Sequence, residues 1–232
     1  ALDNAGNVGS SSSEFDLPEH NIELKNMEMP FVARPSDEVE VIFTVNNTGN
    51  STENVTLQFI QDRIALSNQS IILAPQEGLI SKFDYSPTIG LHNISIRAIP
   101  VPSEGYIKDN TLENAIFVSN KSVALLVNYG AKNSSSIYDN AVRGIGFDAV
   151  VLNTERINIT DRLLEDFRVV VWFTGDSNAT LSGNERDVLT NFVSEGGNLF
   201  LSGNNIGEDI SNNPFFSEVL HARFVRKSPG FG

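Results

Sequence analysis

The sequence predicts two domains in succession: an antiparallel β-sandwich of about seven strands, then an α/β domain built on a doubly wound, mainly parallel sheet. Two patterns and one number carry this expectation. Residues 20–120 alternate apolar and polar side chains in short runs separated by turn residues every eight to twelve positions, about the spacing of a sandwich. From residue 121 onward the apolar runs become continuous and alternate with helical patterns, as parallel strands covered on both faces require. A chain of 232 residues has enough material for two ordinary cores.

The sandwich strands are expected at residues 22–29, 38–46, 54–61, 69–73, 79–85, 92–99 and 114–118. In the second, Val39, Val41, Phe43 and Val45 share one face while Glu40, Ile42 and Thr44 share the other, so one side packs inward. Asn47-Thr48-Gly49-Asn50 supplies the turn chemistry that follows. In the α/β part, SVALLV at 122–127 reads as a buried strand, 137–145 as a helix, 149–152 as a strand and 160–167 as a helix capped by Thr160. VVVWFT at 169–174 is the third strand. Residues 182–195 are the strongest helix, with Ser182 and Glu185 spaced for a capping box and Gly196-Gly197 for its end. Residues 198–201 and 222–226 complete a set of five strands, for which right-handed crossovers give a flavodoxin-like order of 2-1-3-4-5.

The phrases VIFTVNNTGN at 41–50, LAPQEG at 73–78, GLHNISIRAIP at 90–100 and DNTLENAIF at 109–117 resemble the CARDB family, the immunoglobulin-like cell adhesion related domain of bacteria, found also in archaeal surface proteins. Lys108 departs from that pattern, which often has an acidic residue just before the Asp-Asn pair. The resemblance implies a non-catalytic sandwich over 20–120, used as a spacer or adhesion module. Residues 1–19, rich in Gly, Ser and Asn, read as a linker, and the DNAGN phrase at 3–7 resembles the exit of an upstream immunoglobulin-like repeat. In the second half, GGNLFLSGNNIG at 196–207 resembles an α/β domain related in fold to class I glutamine amidotransferases, which accompanies immunoglobulin-like domains in large secreted subtilisin-like (pyrolysin-like) peptidases of archaea and bacteria. That domain normally runs on beyond its equivalent of residue 232, so a truncated sheet over 121–232 is expected.

Composition narrows the function classes. Sixteen basic against 29 acidic residues give a net charge of −13, which repels phosphate backbones and acidic lipid surfaces and argues against nucleic-acid partners. Without a cysteine there is no disulfide, thiolate nucleophile or iron–sulfur ligand. No apolar run approaches the roughly 18 residues of a membrane span, so direct membrane insertion is not expected. With 26 Asn and 35 Ser or Thr, chance would place about four Asn-x-Ser/Thr acceptors; the chain has nine, at Asn46, Asn50, Asn54, Asn68, Asn93, Asn120, Asn133, Asn158 and Asn178. Twofold enrichment points to a glycosylated extracellular or cell-surface protein, and the lack of disulfides points to an archaeal or bacterial one. The other explanation is that Asn and Ser simply populate turns.

A ligand in an open α/β sheet sits at the carboxyl ends of the strands. That crevice is expected to gather Asn128, Tyr129, Thr174, Gly175, Asp176, Ser202, Gly203, Asn204, Asn205, Glu208 and Asp209. Ser202 lacks the Gly-x-Ser-x-Gly frame of a nucleophile elbow, Phe200 standing where the first glycine belongs, and is expected to be a turn residue bonded to backbone. His221 is expected on the surface, ahead of a polar strand. Asp176, Glu208 and Asp209 form an oxygen set of the kind Ca²⁺ takes, without the spaced loop such sites use, and neither metal nor cofactor is expected. No catalytic residue is assigned. The function expected is a non-catalytic spacer or recognition segment of a larger secreted or cell-surface protein, a subtilisin-like peptidase by resemblance, partnered by other domains of the same chain and by a surface glycan or protein. A glycan- or peptide-binding adhesion module and a small hydrolase using the crevice are the alternatives.

Overall fold

The structure, a computed structural model, describes residues 18–129, 135–154 and 157–225. The linker expected over 1–19 lies outside these residues except for its last two positions. The chain divides into two compact units, one of Ala1–Met29, Glu40–Asp84 and Asn93–Asn114, the other of Pro30–Val39, Tyr85–His92 and Ala115–Gly232.

Antiparallel pairing dominates residues 18–118. A three-stranded sheet has the order β1 (Ile22–Glu28), β3 (Val39–Asn47), β6 (Gly78–Tyr85), and a five-stranded sheet the order β2 (Val32–Ala33), β8 (Thr111–Val118), β7 (Gly90–Ala98), β4 (Glu53–Gln61), β5 (Ile64–Leu73). Among the described residues there are thus eight strands here where seven were expected. The extra one, β2, is two residues long and pairs in parallel with β8. Strand β5 starts at Ile64, five residues before the expected position, and pairs with β4 as a hairpin closed by Gln61 opposite Ile64. Its two loop residues, Asp62 and Arg63, both have positive φ (50° and 71°), the geometry of a hairpin turn that normally selects Asn-Gly.

The alternation read in β3 is borne out: Val39, Val41, Phe43 and Val45 are buried, while Glu40 is exposed and Ile42 and Thr44 are half-exposed. Phe83 of β6 stacks on Phe43 of β3 at 5.8 Å and on Phe59 of β4 at 5.6 Å, so one ring links residues from both sheets.

The second half holds a four-stranded sheet, all parallel, in the order β10 (Asp148–Asn153), β9 (Val123–Asn128), β11 (Val169–Gly175), β12 (Asn198–Gly203). Between the strands run α1 (Ser135–Gly144), α2 (Asp161–Leu164) and α3 (Gly183–Ser194). Both faces of the sheet are covered. Leu125, Val127, Val170 and Trp172 pack with Leu164 of α2 and Val188, Leu189 and Phe192 of α3. On the other face Ala124, Leu126, Val171 and Phe173 pack with Val142 and Tyr138 of α1.

The capping signals act as read. Ser182 Oγ accepts from Glu185 N at 3.3 Å while Glu185 Oε2 accepts from Ser182 N at 2.7 Å. At the far end Gly196 takes φ +93°, and Gly197 N donates to Phe192 O and Gly196 N to Val193 O, the paired bonds of a Schellman ending. Helix α2 is shorter than expected: Thr160 caps it, but it spans four residues, and Phe167 N turns back to Leu164 O so that the buried Phe167 ring closes the segment. The fifth strand expected over 222–226 is absent among the described residues, of which Arg226 is not one. The chain instead forms α4 (Ile206–Ile210) and a π-helical turn (Phe215–Val219), and the Ala222 N–H is spent on Phe216 O at 3.0 Å. His221 at φ +47° turns the chain out of any extended path.

Candidate functional site

Because β9, β10, β11 and β12 run the same way, their carboxyl ends bring the expected crevice residues to one side of the sheet. There they separate into groups. Asp176, Asn204, Asn205 and Asp209 form one. Asn204 donates its backbone N–H to Gly175 O at 2.9 Å and its side-chain amide to the Asp176 carboxylate. Asn205 Nδ2 lies 3.1 Å from Asp176 O, 3.2 Å from Ser177 O and 3.1 Å from Asn178 Oδ1. Asp209, in α4, accepts from both the backbone N–H and the hydroxyl of Thr180 at 2.7 Å each. Together these bonds clasp the loop after β11 to the segment after β12. Burial works to raise the Asp209 pKa, but the Thr180 and Leu181 donors and the Arg186 charge outweigh it and hold the carboxyl below its usual value.

Ser202 and Asn128 belong to a second group, beside α1. Ser202 Oγ accepts from the Tyr138 hydroxyl at 2.9 Å, and the Tyr138 ring stacks on Phe173 at 4.5 Å. Ser202 is therefore a strand residue of β12 bonded to a side chain, not the turn residue bonded to backbone that the sequence suggested. The Tyr138 hydroxyl donates in this pair, so it is not placed to take a proton from Ser202. Asn128 Nδ2 reaches Ser135 Oγ at 3.3 Å. His221 is exposed, as expected, but no strand follows it among the described residues.

Thr174 and Tyr129 make a third group, turned into the fold. Thr174 is fully buried, its hydroxyl has no partner among the described residues, and it is pressed against Gly203 so closely that a Cβ on that glycine would lie 1.9 Å from Oγ1. Tyr129 donates its N–H to Phe173 O and stacks on Trp172 with ring centres 6.4 Å apart. Burial raises its phenol pKa, and the charges of Glu185 and Asp209 raise it further.

Among the described residues no group of three or more His, Asp and Glu side chains is placed to hold a metal ion. Two of the cavities among the described residues lie on this unit, and neither of these two is lined by crevice residues. One of about 230 Å³, between Leu164, Phe167, Arg168, Phe192 and Gly197, lies toward the amino ends of β11 and β12. The other, of about 280 Å³, lies between α3 and the π-helical turn, beside Arg186, Thr190, Pro214 and Phe215.

Sequence reasoning missed Tyr138, Ser177 and Thr180, the partners that occupy the expected site. Only the Asp-Ser-Asn run at 176–178, rich in loop-bonding side chains, signalled them. Of the glycosylation candidates, Asn50, Asn54, Asn68, Asn93, Asn120, Asn158 and Asn178 are exposed. Asn46 is half-buried in β3, its Oδ1 against Gly78. Asn133 lies outside the described residues.

No family model matches the chain, and no curated protein does. Among solved structures, the CARDB domain of a Pyrococcus furiosus protein, crystallised in complex with di-metal ions, is 17% identical with a TM-score of 0.40, the match covering 46% of this chain and 95% of that domain. A solution structure of the same domain is 18% identical with a TM-score of 0.38, covering 45% of this chain and 97% of that one. A β-glucosidase from Listeria innocua in complex with glucose is 13% identical over 43% of this chain and 16% of its own, with a TM-score of 0.35.

Proposed function

We propose that the chain is a non-catalytic accessory segment of a larger secreted or cell-surface protein, its first part a CARDB-like spacer or adhesion module and its second a flavodoxin-like α/β domain of the kind that accompanies subtilisin-like peptidases. The observation that carries the non-catalytic part is the clasp at the carboxyl ends of the strands. Asp176, Asn204, Asn205 and Asp209, the polar groups a hydrolase would aim at a substrate, are spent on one another and on the loop after β11. A nucleophile needs a base within hydrogen-bond reach, and the group that reaches Ser202 is the Tyr138 hydroxyl. The CARDB-like phrases and the order of the parallel sheet support the domain reading. The Asn-x-Ser/Thr enrichment supports an extracellular, glycosylated setting.

Assays on p-nitrophenyl esters and peptide substrates are expected to be blank. Hydrolysis that disappears in Ser202→Ala would overturn the non-catalytic reading. Intact-mass analysis of the protein from its natural source is expected to find these residues inside a longer, glycosylated polypeptide. Recovery of an unmodified chain of this length would count against the accessory role. A second reading, a glycan- or peptide-binding adhesion module, draws on the exposed aliphatic residues Ile64, Leu66 and Ile72 of β5. A glycan array and a peptide library separate it from a pure spacer, which binds neither.

A further inference from the structure

We infer that residues 18–21, leading into β1, form a strap latched to the β3–β4 turn by His20 and Glu53, and that the latch loosens as the solution turns from mildly acidic to alkaline. The strap is laid along the turn by backbone bonds. Asn50 N–H points at the carbonyls of Pro18 (3.2 Å) and Glu19 (3.0 Å), Ser51 N–H at Glu19 O (3.2 Å) and Thr48 N–H at Asn21 O (2.9 Å). Asn21 Nδ2 adds a bond to Thr48 Oγ1 at 2.7 Å. The approach is close enough that a Cβ on Gly49 would lie 2.7 Å from Glu19 O and 2.9 Å from Asn21 N, so the turn needs glycine at that position.

Glu53, the first residue of β4, is 6% exposed, and a buried carboxylate is costly without a partner. His20 supplies one, its Nδ1 2.6 Å from Glu53 Oε1. The other charged groups around the ring are Glu19 of the strap, 3.7 Å from Nε2, and Glu104 of the loop between β7 and β8. All three are acidic and favour the imidazolium, with burial opposing them. Glu104 is itself anchored by the Ile22 and Val101 N–H groups and the Asn110 amide.

The hydrogen bond to Glu53 raises the His20 pKa, the charges of Glu53, Glu19 and Glu104 adding to it, whereas a released strap leaves an imidazole titrating near its ordinary value of about 6.5. The extra hold is thus fully present below about 6.5 and is lost as pH rises through the raised value. Above it the strap keeps its backbone bonds but no ion pair. Peeling four residues at about 3.3 Å each adds roughly 13 Å of slack to whatever precedes β1.

Hydrogen exchange followed by NMR between about pH 5.5 and about pH 8.5 reads the latch. The protection factors of the Thr48, Asn50 and Ser51 amides are expected to fall across that range, tenfold for each unit by which the His20 pKa is raised. The Ile99 amide, bonded to Thr56 O, should stay constant. In His20→Gln the three turn amides should lose their pH dependence. In Glu53→Gln the imidazole resonances should titrate at lower pH than in the natural protein, because the hydrogen bond and the charge of Glu53 are gone while Glu19 and Glu104 remain. Constant protection in the natural protein, a parallel fall at Ile99, unchanged pH dependence in His20→Gln, or an imidazole titration that Glu53→Gln leaves where it was would each overturn the latch.

Discussion

Strands β3 and β9 bury their side chains by different rules. In β3 every second residue is buried, whereas in β9 five consecutive residues, Val123 to Val127, are inside. The half-buried strand pairs an apolar face with a wetter one, so its sequence states which side is in. The parallel strand serves two cores at once, the α2–α3 side through Leu125 and Val127 and the α1 side through Ala124 and Leu126. Tolerance to substitution should follow the same division.

The sharpest break of this comparison is truncation at neighbouring positions. Leu125→Ala and Leu126→Ala should each cost about 2–5 kcal/mol, because both leave cavities in closed cores. In β3, Phe43→Ala should cost about 3–5 kcal/mol while its neighbour Thr44→Ala costs below about 1. Denaturant midpoints measure all four, and a mild Leu126→Ala would mean that the α1 side of the sheet is not a true core.

Next come the two close approaches. Gly203→Ala puts its Cβ on the Thr174 hydroxyl, a side-chain clash, while Gly49→Ala puts its Cβ on backbone atoms of Glu19 and Asn21. Each should cost about 1–3 kcal/mol. Thr174→Ala should restore much of the stability of Gly203→Ala, and no single side-chain change should do so for Gly49→Ala. Equal rescue at both glycines would show that the contacts are equally soft.

Smaller effects distinguish the polar devices. Asp209→Asn should lose about 1 kcal/mol, the hydrogen bonds to Thr180 being discounted for the exposure of the carboxylate. Since the folded pKa of Asp209 is depressed, its contribution is present above the unfolded value of about 3.9 and fades as pH falls through the folded one. Urea titrations of Asp209→Asn and the natural protein should therefore converge in acid, the opposite direction to the His20 latch. Ser182→Ala should cost about 1 kcal/mol at the head of the twelve-residue α3. Thr160→Ala should cost less, because its cap secures four residues and makes one bond. Helix content by circular dichroism and thermal midpoints check both.

What was legible in the sequence is what burial writes into it. Alternation marked β1, β3, β4, β6 and β7, continuous apolar runs marked β9 and β11, and side-chain chemistry marked the ends of α3. Strand β5 was half missed because residues 64–68 are all exposed and carry no inward face, and because the Asp62-Arg63 turn lacks the glycine that flags such hairpins. The segment after β12 was misread as leading into a strand over 222–226, whereas the local outcome is set by hydrogen bonds around Phe215 and Phe216 that no periodicity records. The crevice residues were located by topology, but their partners were not. Tyr138, 64 positions before Ser202, and Thr180, 29 before Asp209, are joined to them only through the parallel crossovers.

Strand β5 also bears on how the protein behaves in bulk. It is ten residues long, lies at the edge of its sheet, and presents Ile64, Leu66 and Ile72 to solvent at 65%, 51% and 72% exposure. An edge of this kind offers a row of unpaired backbone groups to any other extended chain. Asn68 stands on that strand, exposed and within an acceptor triplet, its Oδ1 bonded by Gln58. A sugar attached there would bar a second strand from docking without altering the sandwich, so the same polypeptide made without glycans should be the more prone to self-association and precipitation as its concentration rises.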